Sequence, residues 1–286
     1  MFLRYNKPTN VFASKKVREI GKKLKTKKIG HNGILDPLAQ GLMILATEED
    51  TKLFEYFDDN TKTYVAECDF FYSSDSLDIS SSNIKKEPKV FFNKKELHRA
   101  ISIVSNQREQ IPPKISAKKI NGKKAYHLFS QNQEFELKPQ RILIYYIHLL
   151  DFDWENYKMK IELKISSGGY VRSVLRDIAK ILKTSCVMTS LIRTRIGLVK
   201  LENLELDKYE EISYNHLIDL PEISLKLEHI KKLKNGAFFD CQKYDGTYLA
   251  IWENKIVSVG EVKDNKYYPK KVFVERLYNE KNTRTN

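Results

Sequence analysis

The sequence has few cysteines and no long hydrophobic run. Three cysteines, Cys68, Cys186 and Cys241, are far apart among its 286 residues and form no CxxC pair. This spacing disfavours a disulfide framework and a zinc ribbon, and it fits a reducing cytosol. No stretch approaches the roughly 20 apolar residues that cross a bilayer, and the opening segment MFLRYNKPTN lacks the apolar region of a secretory signal. We therefore expect a cytoplasmic protein that does not enter a membrane.

Positive charge is in excess and is concentrated in two segments. The chain carries 50 Lys and Arg against 37 Asp and Glu, a net charge of +13. Residues 1–30 hold ten basic residues and one acid, Glu19, and residues 111–130 hold five lysines and no acid. A solvated Lys-rich face explains either segment taken alone. Together they favour a surface that binds nucleic-acid phosphates and positions a backbone without reading its sequence.

Hydrophobic periodicity predicts both helices and strands. The predicted helices are 12–25, 51–58, 94–106 and 171–183. The predicted strands are 63–72, 141–152, 158–166 and a hairpin of 248–252 with 256–262. Residues 73–88 are rich in Ser, Asp, Asn and Lys, which predicts an exposed loop.

The densest local signal surrounds Asp36, in the segment GHNGILDPLA of residues 30–39. Its two glycines permit positive φ or a close backbone approach, and Pro37 restricts Asp36 to an extended conformation. Asp36 is thus predicted at a stiff bend between apolar flanks, where a carboxylate needs a partner. From spacing alone, an Asp-Pro turn whose carboxylate caps a following helix explains the segment as well.

The segment resembles the catalytic motif of the TruB family of tRNA pseudouridine synthases. Other matches follow in the family's order: Lys7-Pro8, Lys62-x-Tyr64, and residues 110–117, 121–126, 167–173 and 191–197. The sequence departs from the pattern at Ile34, which replaces a Thr, and at Ile192, which replaces an Arg. The loop at 71–82 also lacks the family's glycines.

The resemblance implies a mixed α/β (α+β) fold in two domains. A pseudouridine-synthase catalytic domain would span residues 1–222, with a mixed, largely antiparallel central sheet flanked by helices. A basic thumb insertion would lie at about 107–133. A short, β-rich, PUA-like RNA-binding domain would follow at 223–278, and the tail at 279–286 is predicted to be disordered.

The resemblance also implies an activity, the isomerisation of uridine-55 in the T-loop (TΨC arm) of tRNA to pseudouridine, with the target base flipped out. This reaction rearranges one nucleotide, so it implies no cofactor and no metal. The implied partner is tRNA, contacted at its T-arm and acceptor stem. The family suggests a monomer that requires no protein partner.

By resemblance, Asp36 is the catalytic carboxylate, Arg172 pairs with it, and Tyr64 stacks on the uracil and assists proton removal from C5. Leu191 would form an apolar wall, and His31 would be a positioning residue that stacks in the RNA. The remaining implied substrate-binding residues are Lys62, Tyr170 and the thumb lysines Lys114, Lys118, Lys119, Lys123 and Lys124. The residues alone leave other interpretations open: core packing for Tyr64 and Leu191, and a surface position at a helix start for Arg172.

Other functions use the same features differently. A non-catalytic tRNA-binding or tRNA-folding chaperone on this scaffold is the main alternative, because the 71–82 loop is altered. An enzyme guided to another RNA by small RNAs is disfavoured by the short C-terminal segment. A DNA-binding regulator is disfavoured because no helix-turn-helix or zinc module is recognisable in the sequence.

Overall fold

The structure is a computed structural model that describes residues 1–120 and 122–278. The chain divides into two compact units, the first spanning Met1–Leu217 and the second starting at Ile218. This division lies a few residues before the predicted boundary at 222, and the predicted disordered tail falls outside the described residues. In the described part of the chain, no helix combines the length and apolar character needed to span a membrane.

The first unit contains helices and strands in the following order along the chain. Its helices are α1 (Ala13–Lys23), α2 (Lys94–Ser105), α3 (Ala125–Ser130) and α4 (Val171–Ile181), with 3₁₀ helices at Glu48–Tyr56 and Tyr214–His216. Its strands are β1 (Phe2–Lys7), β2 (Ile29–His31), β3 (Gln40–Thr47), β4 (Lys62–Phe70), β5 (Tyr72–Ser73), β6 (Lys85–Lys86), β7 (Glu109–Gln110), β8 (Lys119–Ile120), β9 (Lys123–Lys124), β10 (Gln140–Arg141), β11 (Ile144–Asp153), β12 (Lys158–Ile165), β13 (Cys186–Ile196), β14 (Val199–Lys200) and β15 (Tyr209–Ile212).

One large sheet organises this unit, in the order β11-β12-β4-β13-β3-β1-β15. Strand β2 pairs with β3, and β14 pairs with β13. The β13–β3 pair is parallel, whereas the other pairs of this sheet are antiparallel. The predicted mixed, largely antiparallel sheet is therefore confirmed.

Helices α1, α2 and α4 supply apolar side chains to a hydrophobic core on one face of this sheet. Along β4, Tyr64, Ala66, Cys68 and Phe70 point into this core, and Glu67 between them is half-exposed, as the alternation of a strand requires. Each fully buried aliphatic side chain of α4 contributes about 1.5–3 kcal/mol. This packing fixes the start of α4, and with it Arg172, beside the sheet.

Strands β13 and β3 meet in parallel at a position where only glycine fits. Gly41 pairs with Arg193 and has φ +111°. A Cβ at Gly41 would lie 2.4 Å from the Arg193 carbonyl oxygen, which is far inside van der Waals contact. The strand that follows the Asp36 bend is therefore held directly against the strand that carries Leu191.

In residues 218–278, the second unit is built around a five-stranded sheet and one α-helix. Its elements are β16 (Glu222–Ser224), α5 (Leu227–Lys234), β17 (Phe239–Asp240), β18 (Gly246–Trp252), β19 (Lys255–Lys263), β20 (Lys266–Val272) and a 3₁₀ helix at Val274–Arg276. The sheet order is β16-β18-β19-β20-β17. Glu253 and Asn254 both have positive φ at the turn between β18 and β19, as a two-residue hairpin turn requires. The predicted hairpin is confirmed, and the PUA-like identity of the unit stays a prediction.

The structure corrects two of the local predictions. The predicted helix at 51–58 is a 3₁₀ helix that starts at Glu48. The predicted exposed loop at 73–88 is tethered by pairing of β5 with β6, and Ser76 and Asp78 within it are buried. The helices predicted at 12–25, 94–106 and 171–183, and the strands predicted at 63–72, 141–152 and 158–166, are confirmed.

Candidate active site

Asp36 lies in the bend between β2 and β3. Gly33 adopts φ +87° in this bend, and the Ala39 amide donates to the Asp36 carbonyl oxygen at 3.1 Å. The buried Lys7 ammonium donates to the Pro37 carbonyl oxygen at 3.2 Å and so anchors the bend to β1. Strand β3 follows the bend, so the helix-capping interpretation of Asp36 is wrong. The carboxylate is 40% exposed, which leaves it accessible to a substrate.

Arg172, in the first turn of α4, is the charged partner of Asp36. Its Nη2 lies 2.7 Å from Asp36 Oδ2, and its side chain is 5% exposed, so the interpretation of Arg172 as a surface residue is wrong. Its Nη1 donates to the carbonyl oxygens of Ser76 at 2.7 Å and Ile115 at 3.2 Å. These bonds orient the guanidinium, so that one edge is presented to the carboxylate. A charge-assisted bond of this length is among the stronger side-chain interactions.

Asp78 was not predicted as a site residue, yet it is the second carboxylate at Arg172. Its Oδ2 lies 3.5 Å from Arg172 Nη1, and the residue is 3% exposed. Its Oδ1 accepts bonds from the Ser76 hydroxyl at 2.8 Å and from the Ser80 amide at 3.0 Å. The family's loop pattern could have identified Asp78 as a site residue, because an Asp of that pattern aligns with it. The altered loop keeps this carboxylate although its glycines are absent.

Six of the predicted site residues line one cavity of about 310 Å³. They are Asp36, Lys62, Tyr64, Tyr170, Arg172 and Leu191. Tyr64 and Leu191 lie on the adjacent strands β4 and β13, and both also belong to the hydrophobic core, so the core-packing interpretation of these two residues is correct as well. The cavity thus combines an apolar part with a paired carboxylate, an arrangement typical of small-molecule or nucleobase pockets.

Tyr170 joins the cavity to the thumb segment. It precedes α4, and its amide donates to Gln110 Oε1 at 2.9 Å. The Gln110 amide group in turn donates to the Tyr170 carbonyl oxygen at 3.1 Å. Burial raises the pKa of the Tyr170 phenol above its ordinary value. The start of the thumb is therefore bonded to the residue that precedes α4, two positions before Arg172.

His31 lies on β2 and is half-buried. Burial, reinforced by the charge of Arg193, lowers the pKa of its imidazole. Its Nδ1 is buried and has no hydrogen-bond partner among the described residues. These features favour the neutral imidazole near pH 7. A neutral ring suits the predicted stacking role.

The thumb lysines lie on exposed chain around β8, β9 and the start of α3. Lys114, Lys118, Lys119, Lys123 and Lys124 are all exposed. Lys124 lines a second cavity of about 470 Å³, which also borders Asp36 and Arg172. Lys118 donates to Gln140 Oε1 at 2.9 Å. The structure does not bring the other thumb lysines into either cavity, so their substrate-binding role stays a prediction.

In residues 1–120 and 122–278, no group of three or more His, Cys, Asp or Glu side chains is arranged to hold a metal ion.

Comparison with known proteins identifies the family. Residues 21–171 match the sequence model of TruB family pseudouridylate synthase (N terminal domain). The chain is 35% identical over 277 residues to the tRNA pseudouridine synthase B of Mycoplasma mobile, covering 97% of this chain and 96% of that protein. It is also 35% identical over 272 residues to the protein of that name from Mesomycoplasma hyopneumoniae, covering 95% of this chain and 82% of that protein.

Solved structures share the fold. A chain in the crystal structure of a Cbf5-Nop10-Gar1 complex superposes with a TM-score of 0.64 at 18% identity, over 97% of this chain and 87% of that chain. The family match, the relatives and the Asp36 motif agree with one another. This chain therefore belongs to the TruB family of pseudouridylate synthases.

Proposed function

We propose that this protein converts uridine-55 in the T-loop of tRNA to pseudouridine. The observation that carries the proposal is the 2.7 Å contact between Asp36 and the buried Arg172 at a cavity bounded by Tyr64 and Leu191. The relatives named tRNA pseudouridine synthase B support tRNA as the substrate. The position within tRNA follows from the resemblance of the motifs.

The proposed reaction is an isomerisation. The N1–C1′ bond of the uridine breaks, the uracil rotates, and a C5–C1′ bond forms. C5 loses its proton and N1 gains one, so atoms and electrons balance without an oxidant, a reductant or a cofactor. A carboxylate can attack or stabilise an oxocarbenium-like centre in such glycosidic chemistry, and Asp36 is the carboxylate proposed for this step.

The other residues of the cavity support Asp36. Arg172 pairs with the carboxylate and orients it, and Asp78 and the Ser76 carbonyl hold Arg172. Tyr64 stacks on the uracil, and its hydroxyl assists removal of the C5 proton. Leu191 covers the base from the neighbouring strand. His31 stacks within the RNA at the space left by the extruded base.

Uridine-55 lies within the folded T-loop, so the proposal includes flipping of the base into the cavity. The thumb lysines grip phosphates, and the C-terminal unit contacts the acceptor stem as a PUA-like domain. The protein acts on tRNA in the cytoplasm as a monomer, without a protein partner or a cofactor.

The test is to incubate unmodified tRNA with the protein and with the Asp36→Asn variant, and to map pseudouridine by carbodiimide labelling, because the isomer has the same mass as uridine. We expect pseudouridine only at position 55, only with the unaltered protein, and similar tRNA affinity for both proteins. A tRNA with cytidine-55 is the substrate control. Tight binding by the unaltered protein without any pseudouridine would instead support the tRNA-folding alternative.

A further inference from the structure

Besides Arg172, two buried cations line the cavity beside Asp36. Lys62 on β4 is 5% exposed and Arg193 on β13 is 1% exposed. Both belong to the lining of the 310 Å³ cavity. Charged side chains are almost never buried to this extent unless they are paired, so the identity of their partners is informative.

The partners of both residues are neutral. Lys62 Nζ donates to the Asn60 carbonyl oxygen at 2.7 Å and to the Ser167 hydroxyl at 3.0 Å. Arg193 donates to the carbonyl oxygens of Leu42 at 2.6 Å and Gly33 at 3.2 Å. Among the described residues, neither forms an ion pair with a carboxylate, whereas Arg172 in the same cavity contacts two.

The electrostatics of this end of the cavity show an excess of positive charge. Burial, together with the like charge of Arg193, lowers the pKa of Lys62 to about 8. The charge of Arg193 also lowers the pKa of the half-buried His31. The negative charge of Asp59 raises the pKa of Lys62. However, Asp59 Oδ2 also lies 3.6 Å from Lys164 Nζ, and this second cation offsets part of its charge. An anion bound here would relieve the repulsion among the cations.

We infer that Lys62 and Arg193 form a buried anion site that binds a phosphodiester group flanking the target uridine. The inference rests on the proposed function for the identity of that nucleotide. Lys62 and Tyr64 lie two residues apart on the same face of β4, a separation of roughly 7 Å. A base stacked on Tyr64 therefore places its own backbone within reach of Lys62. The site fixes the backbone while Asp36 acts on the glycosidic bond.

The inference is tested by removing the charge from one phosphate at a time. T-arm hairpin RNAs carry a single methylphosphonate, scanned through the loop, with a 2′-O-methyl group on the preceding ribose to keep the linkage stable. Matched 2′-O-methyl phosphodiester hairpins serve as references. Affinities are measured with the Asp36→Asn protein, so that no turnover occurs. We expect one methylphosphonate beside the target uridine to weaken binding roughly 10- to 100-fold.

The decisive comparison adds Lys62→Met to the Asp36→Asn protein. This double variant binds the unmodified hairpin more weakly, and the sensitive methylphosphonate causes no further loss. Lys160→Met is the matched control, because Lys160 is exposed on the same sheet and pairs with Glu67 at 2.9 Å. Lys160→Met makes the same change in net charge, and its affinity should still fall in full when the methylphosphonate is introduced. Lys62→Arg retains a cation, so its affinity should show most of that fall.

Two results would overturn the inference. One is a Lys62→Met protein that stays fully sensitive to the same methylphosphonate, and the other is a scan in which no phosphate near the target matters. Thermal melting checks that each variant is folded, and Lys62→Gln repeats the test if the Met variant does not fold. Because this test measures only binding, its result does not depend on whether the protein forms pseudouridine. A failure of the proposed function is therefore distinguishable from a failure of this inference.

Discussion

Asp78 Oδ2 and Arg172 Nη1 lie 3.5 Å apart, and both residues are almost fully buried, although they come from distant segments of the first unit. Asp78 contacts the guanidinium at Nη1, and Asp36 contacts it at Nη2, 2.7 Å away. The three residues form a carboxylate–guanidinium–carboxylate chain with an accessible carboxylate at one end and a buried one at the other. Asp78 is thus a positioning residue for Arg172, and through it for Asp36.

We predict that Asp78→Asn slows pseudouridine formation roughly 10- to 100-fold, the loss expected when one charge-assisted bond that orients the site is removed. The tRNA affinity should change little, because Asp78 is buried behind Arg172. Single-turnover rates and equilibrium binding separate the two effects. Asp75→Asn is the matched control, since Asp75 lies in the same loop and bonds only the exposed Asn83 among the described residues. An equal loss for both variants would contradict the positioning role.

The two roles proposed for Tyr64 predict different outcomes for two substitutions. Tyr64→Phe keeps the ring and removes the hydroxyl, so it should lower kcat by about 10² to 10⁴-fold, the usual contribution of a general acid–base group, with KM nearly unchanged. Tyr64→Leu should also raise KM, because base stacking is lost.

Tyr157→Phe is the control for this pair. Tyr157 packs among the aromatic rings of Phe71, Phe91 and Phe92, and it does not line the cavity that contains Asp36. Its loss of a hydroxyl should leave both kinetic constants unaltered. If Tyr64→Phe retained full kcat, the hydroxyl would have no part in the reaction.

The buried Lys7 predicts a pH dependence of stability. Burial is the main cause that lowers its pKa to about 8, from the 10.5 of an unfolded chain. Between these two values the unfolded state binds more protons than the folded state, so stability rises with pH. Relative to Lys7→Met, the free energy of unfolding of the unaltered protein should therefore increase from pH 8 to pH 10, by at most about 1.4 kcal/mol per pH unit.

Urea denaturation of the unaltered protein and of Lys7→Met at several pH values measures the difference between their free energies of unfolding. The contributions of the other titrating groups are common to both proteins and cancel in this difference. Lys15→Met, at an exposed position of α1, should show no such trend. A constant difference between the unaltered protein and Lys7→Met would mean that the Lys7 ammonium is as well accommodated in the folded protein as in water.

Local periodicity predicted much of the fold because α4 and β4 each bury one regular stripe of side chains. The motif around Asp36 predicted the bend, and the resemblance predicted that Arg172 would pair with it. The burial of Asp78 could not be read from the polar segment around it, because its partner Arg172 comes from a distant helix. The requirement for glycine at Gly41 likewise depends on the backbone of Arg193 in a strand far along the chain.

The thumb lysines predict a salt-dependent contribution to binding that is separate from the chemistry. Lys119 and Lys123 are exposed on the paired strands β8 and β9, and neither is in the lining of the two cavities that border Asp36. If each contacts one phosphate, replacing either by Ala should reduce the slope of log affinity against log salt by about 0.7 to 0.9. The double variant should reduce it by about twice that amount, with kcat at saturating tRNA unchanged. The control is Lys95→Ala, because Lys95 is exposed on α2 and lies outside both basic segments. An equal change of slope for this variant would show that net charge alone, and not the position of the thumb lysines, governs the salt dependence.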